Sequence, residues 1–326
     1  MSQPDVGDVH VNGLLSQISI AHYNEESAYV ADQVFPLVYV QKQTDIYPVY
    51  TRGFFMKDLG NAMLRAPGTP AATTGFNINT SNTYRAANYA IGFLIPDELR
   101  ANQDAPFDMD RDGTLLVTQL QMIRRERAFA ADFMAGSVWG TTVQGTVNFV
   151  KWSDYGGSDP LTDLRNALRT VQLNTGRRPN KIVMGQIVWD RLVDHPDLID
   201  RIKGGATSQN PAIAQPQLLA ALLNLDEVLI GQASYDSAVE GGTFSGAMIL
   251  DDDLLMLYTP RNPGLLIPAA GYTFVWESMV NGRQAPQFIR KVRLEREKAD
   301  VVEAHAYWDQ VATETQSGYF FQDCCD

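Results

Sequence analysis

The feature that most constrains the fold is a long helical signal between Asp108 and Ala135. Six side chains recur there at steps of three and four residues, which places them on one helical stripe: Leu116, Leu120, Ile123, Arg127, Ala131 and Met134. Carboxylates crowd the start, where they oppose the positive end of the helix dipole. At about 1.5 Å per residue the helix would be roughly 40 Å long. The pattern predicts a spine helix lying across a sheet on this stripe. Coiled-coil pairing is the alternative, but the heptad breaks at Arg127.

The composition is that of a globular protein. Of the 326 residues, 45% are hydrophobic and 20% are charged, which suits two packed domains or one domain with large excursions. The apolar runs are too short to cross a membrane. The leading stretch MSQPDVGDVHVNG lacks the basic start and apolar core of a signal peptide.

The formal net charge of -12 argues against sequence-specific nucleic-acid binding, because that class of protein carries a basic patch. The nearest such patch is Arg124, Arg125 and Arg127, which Glu126 interrupts. Copies of so acidic a chain repel one another. Any assembly they form must therefore offset the repulsion by burying apolar surface.

The cysteines of the chain are Cys324 and Cys325, adjacent and near its end. Neighbouring cysteines rarely form a disulfide with each other, and a pair of this kind supplies no disulfide framework or zinc site. We predict a frayed tail with reduced thiols, made in a reducing compartment. An intermolecular disulfide is the alternative.

Residues 34–96 predict a projecting hairpin. An extended stretch rich in Val, Tyr and Phe is followed by 60–82, which is dense in Gly, Pro, Thr and Asn, and then by a strand with alternating apolar residues through 89–95. The charges near the tip are Lys57, Asp58 and Arg65. A lone two-stranded ribbon is barely stable in water. We therefore expect this hairpin to lie against a partner. A flexible surface loop is the alternative.

The second half of the chain predicts an α/β unit followed by strands. Asp159, Pro160 and Gly176 mark the cap, first turn and end of one helix. Lys181–Gly185 reads as a buried strand, and a helix pair broken at Pro196 follows it.

Near the end, two strands flank a turn around Lys298 and predict an antiparallel hairpin. The predicted register pairs these residues: Leu294 with Val302, Val292 with Ala304, Phe288 with Trp308, Arg293 with Glu303, and Lys291 with His305.

The sequence shows no catalytic constellation. Phosphate-binding, nucleophile-elbow and zinc-protease motifs are missing from it. His195, beside Pro196, is predicted to be a hydrogen-bonded residue at a helix end. Glu303, His305 and Asp309 share a predicted strand face, but salt bridges suit them better than a metal. The run 251–253 is predicted to be a solvated turn. We expect no catalytic, cofactor-binding or metal-binding residues and no cofactor.

Two stretches resemble the major capsid proteins of tailed bacteriophages, which have the Hong Kong 97-like fold. One is SIAHYNEESAYVADQVFPLVYVQKQTDIYPVY, which begins at Ser19, and the other is KIVMGQIVWDRLVDHPDLIDRIKGG, which begins at Lys181. The resemblance implies an α+β fold with an N-terminal arm, an extended β-hairpin loop, a peripheral domain with a long spine helix on a sheet, and an α/β axial domain. It implies these segments: arm 1–40, extended loop 41–97, peripheral domain 98–179 with spine helix 108–135, axial domain 180–283, and a return to the peripheral domain with a C-terminal tail over 284–326.

The same resemblance implies a structural protein that self-assembles into pentamers and hexamers of an icosahedral shell enclosing phage DNA. Its implied partners are further copies of itself, portal and scaffolding proteins, and packaged double-stranded DNA held nonspecifically, with decoration proteins as an open alternative and no membrane. The implied location is the virion, with assembly in the host cytoplasm. An encapsulin-like nanocompartment, an enzyme with a site near His195, and a trimeric tail or adhesion protein are the rival interpretations.

Contacts between subunits are predicted on the hairpin and on the arm. The predicted residues are Phe54, Phe55, Met56, Lys57, Met63, Leu64, Arg65, Phe76 and Ile78 on the hairpin, and Leu14, Leu15 and Ile18 on the arm.

Overall fold

A computed structural model describes residues 23–50, 52–103, 107–203, 215–264, 267–280 and 287–326. The predicted arm contacts Leu14, Leu15 and Ile18 lie outside these residues, as does the side chain of Phe54.

The chain alternates short helices with strands and contains one long helix. The helices are α1 (Ala31–Val34), α2 (Arg52–Phe55), α3 (Asp97–Ala101), α4 (Met109–Phe133), α5 (Pro160–Thr175), α6 (Gln186–Val193), α7 (Pro196–Lys203), α8 (Pro216–Leu223) and α9 (Glu277–Val280), with 3₁₀ turns at Glu26–Ala28, Gly60–Met63 and Thr315–Ser317. The strands are β1 (Leu37–Val40), β2 (Thr44–Ile46), β3 (Val49–Tyr50), β4 (Ile78–Asn79), β5 (Thr83–Arg85), β6 (Ala87–Pro96), β7 (Thr141–Gln144), β8 (Lys181–Gly185), β9 (Glu227–Gly231), β10 (Ser234–Asp236), β11 (Gly246–Met248), β12 (Leu254–Leu257), β13 (Gly271–Trp276), β14 (Gln287–Leu294), β15 (Ala299–Ala312) and β16 (Gly318–Gln322).

The predicted spine helix is confirmed as α4, which packs against β6 and β15. The Asp108 carboxylate caps it by accepting hydrogen bonds from the backbone N–H groups of Asp110 and Arg111. Gly113 permits close packing on the sheet, because a Cβ at that position would lie 2.5 Å from the Phe93 ring.

The predicted stripe on α4 is wrong, because the buried face lies to one side of it. Leu116 is 43% exposed, and Arg127 and Ala131 are exposed as well. The buried residues are Met109, Gly113, Val117, Gln121, Arg125, Glu126, Ala128, Phe129 and Phe133. Periodicity missed this face because polar residues occupy it. Gln121 is one of them, and its amide donates hydrogen bonds to the carbonyls of Tyr89 and Ala304 at 2.9 and 3.2 Å.

The long sheet is built around β15. Strand β6 lies along one edge of β15, while β14 and then β13 lie along the other, and β1 joins β13 in parallel. The β14–β15 hairpin is present as predicted, but its predicted register is wrong by three residues. The observed pairs are Leu294 with Ala299, Arg293 with Asp300, Val292 with Val301, Lys291 with Val302, Arg290 with Glu303, and Phe288 with His305.

The register differs because the turn is shorter than the sequence suggested. It occupies residues 295–298, and Lys298 adopts a left-handed conformation with φ 48°. A shift by an odd number of residues moves side chains to the other face. Opposite charges still face each other across the ladder, now as Arg290 with Glu303 at 3.0 Å and Arg293 with Asp300 at 3.2 Å.

The second sheet has the strand order β7-β16-β12-β8-β9. It carries α5 and α6 on the core formed by Trp152, Leu164, Met184 and their neighbours. The predicted start and end of α5 are confirmed, since Asp159 accepts from the Thr162 N–H at 3.0 Å and Gly176 ends the helix with φ 71°.

The predicted frayed C-terminal tail is wrong. Strand β16 lies inside the second sheet, between β7 and β12. Cys324 and Cys325 are 0% and 1% exposed, and both thiols are free. Burial raises the pKa of the Cys324 thiol well above its ordinary value. Apolar packing against Phe321 and Trp152 explains why the adjacent cysteines are held in the core.

The two sheets do not follow the bounds of the predicted segments. Strand β13, within the predicted 180–283 segment, pairs with β15 in the long sheet. Strands β7 and β16 lie outside that segment and belong to the second sheet. The domain boundaries therefore stay a prediction. Within the described ranges, no helix is both long and apolar enough to cross a membrane.

Candidate functional site

The predicted hairpin is a twisted ribbon of short strands. Strand β2 pairs with β5, and β3 pairs with β4 further out. Its base rests on the long sheet, where the Tyr84 ring stacks on Phe274 at 4.5 Å and Tyr47 lies 5.7 Å from the same ring. These aromatic contacts fix where the ribbon leaves the body of the protein.

The tip of the hairpin is exposed throughout. Every residue from 60 to 81 is exposed, and the 3₁₀ turn Gly60–Met63 shapes its start. Met63 is 70% exposed and Leu64 is 84% exposed. So continuous an exposure of apolar residues is typical of a surface that another molecule covers.

A small aromatic cluster stiffens the ribbon below the tip. The rings of Tyr50, Phe55 and Phe76 lie 5.5 to 6.0 Å apart. Near this cluster the ribbon approaches its own body, since the Met56 Cε atom would lie 3.7 Å from a Cβ built on Gly176. The part of the ribbon below the tip therefore has contacts within the subunit, whereas the described residues do not cover the tip, 60–81.

Most of the predicted hairpin contacts lie on the outside of the ribbon. Exposed fractions are 60% for Phe55, 52% for Met56, 56% for Phe76 and 43% for Ile78. Lys57 and Arg65 are exposed as well. Their part in contacts between subunits stays a prediction.

A buried clasp on α4 holds the segment 24–32, and it was not predicted from the sequence. The Glu126 carboxylate, 1% exposed, accepts hydrogen bonds from the backbone N–H groups of Val30 and Ala31 at 2.9 to 3.2 Å. Burial raises the pKa of Glu126 to about 7, against the lowering effect of these hydrogen bonds. The clasp thus holds a carboxylate that changes charge near neutral pH.

Side chains around Glu126 extend the clasp. The Arg125 guanidinium is buried over Trp308 and forms an ion pair with Asp32 at 2.6 Å. Two turns before Glu126, Gln119 donates to the carbonyl of Asn24 and accepts from the hydroxyl of Tyr29. Residues 24–32 therefore run along α4 in the direction of the helix.

The environment of His195 opposes a catalytic role. The ring is 1% exposed between α6 and α7, and Nδ1 accepts from the Asp197 N–H at 3.3 Å, which places the proton on Nε2. Nε2 lies 3.0 Å from the Ser158 Oγ, and that hydroxyl donates to the Asp154 carbonyl at 2.7 Å. A base in a serine–histidine site must instead accept the serine proton. The predicted hydrogen-bonded histidine at a helix end is confirmed.

The other candidate polar sites have structural partners. His305 Nε2 lies 3.0 Å from Glu303, while Asp309 accepts from the Arg85 N–H at 2.7 Å. Asp251 is exposed, but Asp253 is partly buried and accepts from the Asp323 N–H. Burial raises the pKa of Asp253 to about 6, so the predicted solvated turn is wrong at Asp253, although Asp251 is exposed. No group of three metal-ligating side chains suited to a metal ion occurs among the described residues.

The chain is similar to proteins of phage heads. No profile of a known protein family matches it. It is 22% identical over 268 residues to the major capsid protein of Burkholderia phage BcepMu, covering 81% of this chain and 82% of that protein.

Solved structures establish the fold. A phage-related protein from Bordetella bronchiseptica matches with a TM-score of 0.68 and 18% identity, over 92% of this chain and 94% of that one. The capsid structure of cyanophage P-SCSP1u matches with a TM-score of 0.63 and 9% identity, over 100% and 96%. An encapsulin from Synechococcus elongatus matches with a TM-score of 0.50 and 10% identity, over 100% and 97%. The predicted α+β, Hong Kong 97-like fold is confirmed.

Proposed function

We propose that this chain, which has the Hong Kong 97-like fold, is a tailed-phage major capsid protein that self-assembles into pentamers and hexamers of an icosahedral shell around DNA. The observation that carries this proposal is the projecting hairpin on that fold, with 60–81 exposed along its whole length. A neighbouring copy can cover this surface, because in a symmetric shell the hairpin of every subunit can make the same contact with the next subunit.

The energetic argument follows from charge and area. Each chain has a net charge of -12, so close packing of copies costs electrostatic energy. Burying apolar area stabilises contacts by about 25 cal/mol per Å², and obligate interfaces commonly exceed about 2,000 Å². The exposed apolar side chains of the hairpin, with Leu14, Leu15 and Ile18 of the arm, are proposed to supply part of that area.

The further partners follow from this role. Portal and scaffolding proteins, packaged DNA held nonspecifically, assembly in the host cytoplasm and the absence of enzymatic activity are proposals for this chain. The hydrogen bonds of His195 to Ser158 and to the Asp197 N–H support the narrower proposal that this residue is not a catalytic base.

Deletion of residues 60–80 tests the proposal. We expect the shortened subunit to stay folded, because residues 60–80 are exposed and their deletion removes only the outer β3–β4 pairing and the Phe76 ring of the aromatic cluster. We also expect it to stop assembling. Circular dichroism reports folding, while sedimentation and negative-stain microscopy report shells. Intact shells from the deletion variant would contradict the proposed role of the hairpin.

The encapsulin-like alternative shares the fold and predicts the same deletion result. Purified shells from infected or expressing cells distinguish the two, because a phage head contains DNA and a nanocompartment contains cargo protein. Nuclease-protected DNA inside particles made during infection supports the capsid protein, and a single enriched cargo protein supports the nanocompartment.

A further inference from the structure

A cavity of about 520 Å³ lies where the start of the long sheet meets the second sheet. Its lining residues come from α1, the start of β1, the first residues of β8 and β9, and the segments beside them: Asp32, Gln33, Phe35, Pro36, Leu37, Lys181, Asp226, Glu227, Pro260 and Arg261. Apolar groups and carboxylates thus share one opening. Its volume lies in the range of about 300–1,000 Å³ that is typical of small-molecule pockets.

The tip of the hairpin has the complementary chemistry. Residues 59–96 contain no Asp or Glu, although the chain carries 38 of them. Arg65 is the cation of the tip, and it follows the exposed pair Met63 and Leu64. This stretch can therefore approach an acidic copy of the chain without the repulsion that the rest of the surface meets.

We propose that the cavity of one subunit receives Met63, Leu64 and Arg65 from the hairpin of a neighbouring subunit. The proposal rests on the proposed shell function and names the surface that the hairpin covers. Met63 and Leu64 pack on the partly exposed apolar wall of Pro36, Leu37 and Pro260.

The carboxylates at the opening have room for the incoming cation. Asp226 bonds Arg261 and Asn180, and Glu227 pairs with Lys181 at 3.0 Å. A carboxylate offers about four acceptor positions, so these partners leave some of them free. Arg261 is itself a largely exposed side chain and can turn aside when Arg65 enters.

Co-assembly of two variants, each with one introduced cysteine, tests the contact between copies. One population carries Leu64→Cys and the other carries Arg261→Cys, and a short bifunctional maleimide is added to the mixed shells. The native Cys324 and Cys325 are buried, so their background reaction is low. We expect a crosslinked dimer from the mixture and none from either population alone.

The matched control replaces Arg261→Cys with Val147→Cys, at a residue that is 74% exposed but outside the cavity. Equal crosslinking of Leu64→Cys to both positions would overturn the proposal. Shells without a crosslink between positions 64 and 261 would overturn it as well and leave the shell function standing. Failure of the unmodified chain to form any shell would overturn both.

Charge reversal gives a second readout. We expect Arg65→Glu to raise the concentration needed for assembly about tenfold, which corresponds to about 1.4 kcal/mol. Arg169→Glu makes the same charge change at an exposed residue of α5, outside the hairpin and the cavity, and should have a much smaller effect. Equal effects of the two variants would show that general charge, and not the cavity, governs assembly and would overturn the proposal.

Discussion

The spine helix and the hairpin tip treat their apolar side chains in opposite ways. Along α4, Phe129 and Phe133 are 0% and 3% exposed and pack edge-on against Phe35. Along the tip, Met63 and Leu64 are 70% and 84% exposed. The helix buries its apolar side chains within one chain, whereas the tip leaves them exposed, and in the proposed shell a neighbouring copy covers them.

Polar groups show the same contrast. The helix buries Gln121, Arg125 and Glu126 and gives them partners within the chain. The tip has no carboxylate at all between residues 59 and 81. If the tip makes the proposed contacts, the stability of the subunit and the stability of the shell depend on separate sets of residues. The following predictions test that separation, in order of expected effect on the subunit.

Phe129→Ala should cause the largest loss of subunit stability. The substitution removes a fully buried ring and leaves a cavity, so we expect the free energy of unfolding to fall by about 3–5 kcal/mol. Urea unfolding of disassembled subunits measures it. Leu64→Ala is the matched control and should change the same quantity by less than about 0.5 kcal/mol. Similar decreases in the free energy of unfolding of both variants would show that the two regions do not differ in their contribution to subunit stability.

Glu126 should make subunit stability depend on pH. Its folded pKa of about 7 lies above the ordinary value of 4.5, so its stabilising contribution is full below 4.5 and is lost as pH rises through about 7. At about 1.4 kcal/mol per unit of pKa, the loss is up to about 3 kcal/mol.

Unfolding of Glu126→Gln subunits between pH 5 and 8 isolates this contribution. We expect the free energy of unfolding of the unmodified chain to fall more steeply with pH than that of the variant. Parallel curves would mean that Glu126 is already ionised in the folded state across this range.

The double substitution Met63→Ser with Leu64→Ser should have the smallest effect on the subunit and a complete effect on the shell. Both side chains are exposed in the subunit, so its melting temperature should move by no more than about 1 °C. Electron microscopy should show no shells. Normal shells from this variant would show that assembly depends on surfaces other than Met63 and Leu64.

Local signals predicted much of the fold. Asp108, Asp159 and Gly176 act on their own neighbours in the chain, and the helix ends they predicted are the observed ones. The hairpin was predictable because its composition differs from that of the rest of the chain.

The failures concern contacts between distant residues. The buried face of α4 depends on Tyr89, Ala304 and the backbone of Val30, which no helical period encodes. The clasp could not be predicted, because Glu126 accepts hydrogen bonds from backbone N–H groups. Almost every residue has such a group, so no residue type marks the partner. The sequence does contain one signal, a carboxylate set among three arginines at a position that the structure buries. The register of β14 depends on the left-handed backbone conformation of Lys298. Glycine usually marks such a position in a sequence, and this position is a lysine.

The central place of β15 sets the order in which the subunit can fold. Its partners come from residues 87–96, 271–276 and 287–294, so the ladder closes loops of very different length. Long loop closures slow folding, because their entropy is lost before the pairing compensates for it. On the ribosome, β6 and the face of α4 that packs on β15 must wait until residues 299–312 have been made. During that interval an unpaired strand edge and an uncovered apolar helix face are exposed, which makes the nascent chain a natural client for chaperones.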